Sequence, residues 1–163
     1  MEYRIRDAAD GDARAVTDVL NSFVEDSFAA YNATPVPAEF FTKIRQLAEG
    51  YPFYVVEAES GDVIGFAMLR RHHPADTFDR TAELTYFLLP EHTRRGLGTR
   101  LLTVLMERAV ELGIDQVLAS VSSLNEQSLQ FHRKHGFVEC GRFREVGRKL
   151  GRDFDVVWFQ KSL

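Results

Sequence analysis

Leu88-Leu89-Pro90-Glu91-His92-Thr93-Arg94-Arg95-Gly96-Leu97-Gly98-Thr99 is the stretch on which the fold turns. An apolar run ends, a basic glycine turn follows, and the longest helical pattern of the chain opens. Leu97, Leu101, Leu102, Leu105 and Ala109 line one side of that helix, and Gly113 stops it. The first turn of a helix carries unpaired N–H groups at the positive end of its dipole. Glycines allow close approach to that backbone, so a phosphate or diphosphate is its natural guest, with Arg94 and Arg95 adding charge. A tight turn into a surface helix with two solvated arginines gives the same pattern. Two phosphate-binding alternatives are excluded. The dinucleotide fingerprint needs a third glycine where Leu101 stands, and the P-loop needs Gly-Lys-Ser/Thr, which is absent.

Working outward, residues 2–7 alternate as a strand, and residues 11–27 place Ala13, Val16, Val19, Leu20, Phe23 and Val24 at helical spacing. Residues 28–37, with Asn32, Pro35 and Pro37, read as a loop. A second helix begins near Ala38 and ends at Gly50. Phe53–Glu59 and Val63–Arg70 form a hairpin about Ser60-Gly61-Asp62, residues 71–79 a loop, and 81–89 a strand. Beyond the long helix come a strand at Gln116–Val121, a helix at Asn125–His135 capped by Gly136, and strands at 137–146 and 154–160. The order β-α-α-β-β-β-α-β-α-β-β alternates only in its second half. It predicts an α/β (α+β) fold with a mixed, mostly antiparallel sheet and helices on both faces.

Bulk properties bound the rest. The 163 residues, 45% hydrophobic and 27% charged, suit one domain spanning 1–163. A net charge of −4 with scattered basic residues argues against nucleic acid and for a small anionic ligand at a local basic cluster. One cysteine, Cys140, rules out an internal disulfide. With no apolar run of membrane length and no apolar leader, the expectation is no membrane and a reduced, cytoplasmic setting.

A second block, Asn125-Glu126-Gln127-Ser128-Leu129-Gln130-Phe131-His132-Arg133-Lys134-His135-Gly136-Phe137, begins with a residue that serves well as a helix cap. His132 and His135 form no metal set, since zinc needs three or four ligands, so no metal is expected. In Thr81-Ala82-Glu83-Leu84-Thr85-Tyr86-Phe87-Leu88, the face Ala82/Leu84/Tyr86/Leu88 is apolar, and Glu83 lies on the other with Thr85 and Phe87. A carboxylate buried in a sheet is costly unless paired or used. A solvated Glu83 near the strand end is the plain alternative.

Taken in order, these blocks resemble the GNAT acetyltransferases. Thr93-Arg94-Arg95-Gly96-Leu97-Gly98 is similar to the family's Gln/Arg-x-x-Gly-x-Gly/Ala, with Thr93 where Gln or Arg is usual. Asn125, Ser128 and Gly136-Phe137 match the second family block, with His132 in its Tyr slot. That histidine, the Thr-x-Glu at Glu83, and Glu145-Val146-Gly147-Arg148-Lys149-Leu150-Gly151-Arg152-Asp153-Phe154-Asp155-Val156 resemble the phosphinothricin acetyltransferase branch, Asp153 replacing an aromatic residue.

The resemblance implies an acetyl-coenzyme A-dependent N-acetyltransferase acting on a primary amine of a small molecule or amino-acid analogue, commonly as a homodimer. It implies coenzyme contacts at Arg94, Arg95, Gly96, Leu97, Gly98, Thr99, Asn125 and Ser128, and an oxyanion donor on the backbone near Phe87 or Leu88. Glu83 becomes the base and His132 an acid for the leaving thiolate, with direct attack in a ternary complex and no role for Cys140. Phe28 and Tyr31 in the 27–36 loop become walls of the acceptor pocket, and His73 and Ala75 stand where the branch carries arginines. A coenzyme A-binding module without turnover and a protein or peptide N-acetyltransferase are the competing readings.

Overall fold

The computed structural model describes all of residues 1–163. Seven strands form one sheet: β1 (Tyr3–Asp7), β2 (Phe53–Ala58), β3 (Val63–Arg71), β4 (Thr81–Leu88), β5 (Gln116–Ser122), β6 (Val138–Lys149) and β7 (Arg152–Ser162). Four helices accompany them: α1 (Ala13–Val24), α2 (Phe40–Leu47), α3 (Leu97–Glu111) and α4 (Glu126–Lys134). The strand order is β1-β2-β3-β4-β5-β7-β6. Every pairing is antiparallel except β4 with β5. The mixed sheet expected from the element order is present, and no helix is long and apolar enough to cross a membrane.

The alternation of side chains along β3 and β4 divides the core in two. Leu69, Leu84 and Leu88 face α3 and α4, where Leu97, Leu101, Leu105 and Phe159 are fully or almost fully buried. Phe66 and Met68 face α1 and α2 and pack with Val16, Val24, Phe41 and Phe53. Burying each such side chain contributes about 1.5–3 kcal/mol. Gly65 in β3 is fixed by this packing, because a Cβ there would meet Leu88 Cδ1 and the Phe87 carbonyl at 2.8 Å.

The C-terminal hairpin corrects the sequence reading. The strands expected at 137–146 and 154–160 run on to Lys149 and start from Arg152. Leu150 and Gly151, both at positive φ (53° and 72°), make the two-residue turn between them. Gly147 had read as part of a connecting loop. It lies within β6 instead, and its missing side chain leaves room for the ring of Phe154 across the ladder. Helix α1 also stops earlier than expected, at Val24.

Candidate active site

β4 and β5 pair in parallel only over Thr81↔Gln116, Ala82↔Val117 and Glu83↔Leu118. Beyond Glu83 the strands part. β4 stays bonded to β3 through Gly65↔Leu88, while β5 stays bonded to β7 through Ser122↔Val156. The β5-facing edge of β4 from Leu84 onward therefore has no strand partner, and two clefts open there.

The first cleft, about 280 Å³, holds Glu83. The ladder places Phe66 opposite Phe87, Met68 opposite Thr85 and Arg70 opposite Glu83, so one face of β3 and β4 lines it. The Glu83 side chain is only 13% exposed. Arg70 Nη2 donates to Oε1 at 3.1 Å, and His72 Nδ1 lies 3.0 Å from Oε2. The solvated strand-end carboxylate is thus not what the fold contains. The Nε of Arg70 is buried without any partner, an unused donor beside the carboxylate. Arg71 is committed to Asp76 and Asp79, and Arg80 to Asp115, so Arg70 is the arginine of that region that reaches the cleft.

Tyr31 lines this cleft together with Ala29, Ala30 and Asn32. Its ring stacks on Phe154 (5.9 Å, 4°) and its hydroxyl donates to Ser120 Oγ at 3.4 Å. Phe28 lies behind that wall, edge-on to Phe154, with the Arg152 guanidinium over its ring. His73 is exposed, packs on Phe78 and accepts from the Ala75 N–H at 3.1 Å, away from Glu83. The neighbouring His72 makes the contact.

The second cleft, about 490 Å³, runs from the start of α3 to the start of α4. Gly96, at φ 72°, turns the chain into α3, and no side chain caps the helix, leaving its first N–H groups free for an anion. Phe87, Leu88, Arg94, Gly96, Gly98, Thr99, Asn125 and Ser128 line this cleft, with Phe131 and Lys134 besides. The Arg95 side chain turns instead towards the Met1 sulfur, and Leu97 is buried in the core. The Thr93 hydroxyl bonds the Pro90 carbonyl at 2.7 Å.

The two clefts meet at Ala29, Tyr86, Phe87, Asn125 and Ser128. Tyr86 stacks on Phe131 (5.0 Å, 15°), and burial pushes its phenol up to about 12, so it is neutral at pH 7. Its hydroxyl stands over Gly98, where a Cβ would come within 2.5 Å of it. Asn125 Oδ1 accepts from the Ser128 N–H at 3.3 Å, so it serves as a helix cap while lining both clefts.

His132 is 4% exposed and stacked on Phe159 (5.5 Å, 19°). Burial pulls its pKa below the ordinary histidine value, so the ring is neutral at pH 7. Nδ1 lies 2.7 Å from the Ser128 carbonyl and must carry the ring proton to donate to it. Nε2 is then a bare lone pair. Cys140 is exposed on β6 and lines neither cleft.

His72, Tyr86, Phe131 and Lys134 were given no site role by the sequence. Tyr86 and Phe131 looked like ordinary core apolar positions, and Arg70 joins Glu83 only through strand register.

Comparison with known proteins bears on this arrangement. Residues 16–137 match the profile described as the acetyltransferase (GNAT) family. The chain is 34% identical over 168 residues to the L-methionine sulfoximine/L-methionine sulfone acetyltransferase of Pseudomonas aeruginosa, covering 100% of this chain and 96% of that one. Among solved structures it resembles a GNAT superfamily phosphinothricin acetyltransferase from Sinorhizobium meliloti in complex with AcCoA (TM-score 0.92, 30% identity, 100% of this chain and 89% of that one). It also resembles a ribosomal-protein-alanine N-acetyltransferase from Brucella melitensis (TM-score 0.89, 33% identity, 98% and 99%).

Proposed function

The chain belongs to the GNAT acetyltransferase family, and from that premise we propose that it transfers acetyl from acetyl-coenzyme A to the primary amine of a small, amino-acid-like acceptor, with Glu83 as the base. The observation that carries this is the position of Glu83. It is shielded, paired with Arg70 and His72, and set in the first cleft at the point where β4 leaves β5. The 490 Å³ cleft, with its uncapped helix end, Arg94 and Lys134, suits the diphosphate and pantetheine of the coenzyme.

An alkylamine of pKa about 10 is almost wholly protonated at pH 7 and has no lone pair to attack with. Glu83 takes that proton, directly or through water. The nitrogen then forms its bond to the thioester carbon, and a free N–H of β4 near Phe87 or Leu88 holds the developing oxyanion. As the tetrahedral carbon collapses, the carbon–sulfur bond breaks and the departing thiolate takes the second proton from the acylated nitrogen, leaving amide and free thiol. A thiolate of pKa about 8.5 departs without strong acid assistance. His132, neutral and with its proton committed to Ser128, has none to deliver from Nε2. We therefore assign it to holding the Asn125–Ser128 turn, in place of the acid role expected from the sequence.

The acceptor is proposed to be an amino-acid analogue, as the name of the Pseudomonas relative says of that protein. Arg70, which lines the cleft with its side chain 38% exposed, offers its guanidinium to an acceptor's acidic group. A cleft of about 280 Å³ sits at the small end of ligand sites, which favours a small molecule over a protein amine, the activity named for the Brucella neighbour. A dimer through β6 is proposed as well. This edge strand exposes Val138, Phe143 and Val146, with Leu150 at its turn. The test of the function is thiol release from acetyl-coenzyme A against a panel of amines that includes methionine-like and glutamate-like analogues. Coenzyme binding without acetyl transfer would leave only a binding module.

A further inference from the structure

The Glu145–Val156 segment is a marked feature of the sequence that the mechanism does not use. Its buried cation is Lys149, at the end of β6 and 6% exposed. A buried ammonium is costly unless its donors are satisfied. Lys149 has no carboxylate partner. Its Nζ donates to the Ala30 carbonyl at 2.7 Å and the Phe23 carbonyl at 3.4 Å, reaching a segment more than a hundred positions away in sequence.

That segment has little backbone hydrogen bonding of its own. Residues 27–35 make no backbone–backbone hydrogen bond. The hairpin supplies a second hold beside the lysine. Phe154, given room by Gly147, stacks on Tyr31 and meets Phe28 edge-on. Ala29, Ala30, Tyr31 and Asn32, the residues held in this way, wall the cleft that contains Glu83.

We propose that Lys149 is a positioning residue for the acceptor: its ammonium straps the Phe23–Ala30 turn to the C-terminal hairpin and so keeps Tyr31 in place as the wall facing Glu83. This rests on the acetyl-transfer reading above, and it adds what the hairpin does for that reaction. Burial also pulls the Lys149 pKa below the ordinary lysine value, as expected of an ammonium held by carbonyls alone.

The test is a cycle of Lys149→Met and Tyr31→Ala in the full chain. Lys149→Met keeps the stem and removes the donors. The KM for the amine should rise roughly tenfold, the worth of hydrogen bonds to a charged group. The KM for acetyl-coenzyme A should rise clearly less than that for the amine, because the strapped turn gives the coenzyme cleft only Phe23 and Ala29 and the α3 turn is untouched. Amide exchange in residues 27–33 should quicken. If Lys149 acts through Tyr31, the double variant should be no worse than Tyr31→Ala alone. Equal loss for both substrates, an unchanged amine KM, or additive effects would overturn the proposal. Lys149→Gln, which retains a donor for one carbonyl, should fall between wild type and Met, and a loss as large as that of Met also overturns it. A wild-type chain without acetyl transfer would sink the reaction reading instead, and the exchange comparison would then decide the strap by itself.

Discussion

Arg70 stands directly opposite Glu83 on the β3–β4 ladder and donates from Nη2 to Oε1 at 3.1 Å, while its own Nε is buried without a partner. The pair joins the base to a guanidinium that lines the acceptor cleft. In Arg70→Met, turnover with an acidic amine should fall by roughly 10–100-fold, the worth of a charge-assisted hydrogen bond. An acceptor whose carboxyl is esterified should lose less. Steady-state kinetics on the matched pair of acceptors checks this, and equal losses on both would separate Arg70 from acceptor recognition.

Gly98 and Tyr86 are coupled by contact. A Cβ at Gly98 would lie 2.5 Å from the Tyr86 hydroxyl and 3.2 Å from Phe131 Cε2. Gly98→Ala should therefore lower stability by about 1–3 kcal/mol through overpacking, before any ligand is added. Adding Tyr86→Phe removes the closest atom and should recover most of that loss. Thermal unfolding of the single and double variants reads it out. This also means that a bulky residue at Gly98 does not test coenzyme binding cleanly, because the protein itself must shift.

His132 predicts a pH dependence of stability. Burial holds its folded pKa below 6.5. As pH falls through 6.5 the unfolded chain binds a proton that the folded chain does not, so stability falls until the folded pKa is reached. His132→Asn should lack this component. Its Tm should decline less than that of wild type between pH 7 and about pH 5, and parallel curves would contradict the buried, neutral imidazole.

Much of the fold was legible because its signals are local. The glycine turn at 94–98, the Asn125 cap and the alternation of Ala82, Leu84 and Leu88 each declare themselves within a few residues. The site was less so. That Arg70 faces Glu83 is decided by strand register, and that His72 rather than His73 reaches the carboxylate depends on which way one loop residue turns. The hairpin was misread because Gly147 resembles a loop breaker until Phe154 is seen lying across it. Nothing local to Lys149 in the sequence signals its burial, and only the packing of the 23–31 segment against it reveals it.

The exposed apolar residues of β6 predict assembly. Phe143→Glu with Val146→Lys should leave the chain folded, since both side chains face outward, and should yield a monomer by light scattering where wild type is a dimer. A wild-type monomer at micromolar concentration would remove the dimer from the account.

The central claim is that Glu83 accepts the proton of the amine, and Glu83→Gln tests it most directly. The substitution keeps size and hydrogen bonding and removes the base. Measured as thiol release at pH 7 on a good acceptor, turnover should fall by roughly 10²–10⁴-fold, the usual contribution of a general base. The thermal shift given by acetyl-coenzyme A should be retained, and the loss should shrink at high pH, where free amine forms unaided. Full activity of Glu83→Gln at pH 7 would contradict the claim, and loss of activity together with coenzyme binding would make Glu83 a structural residue.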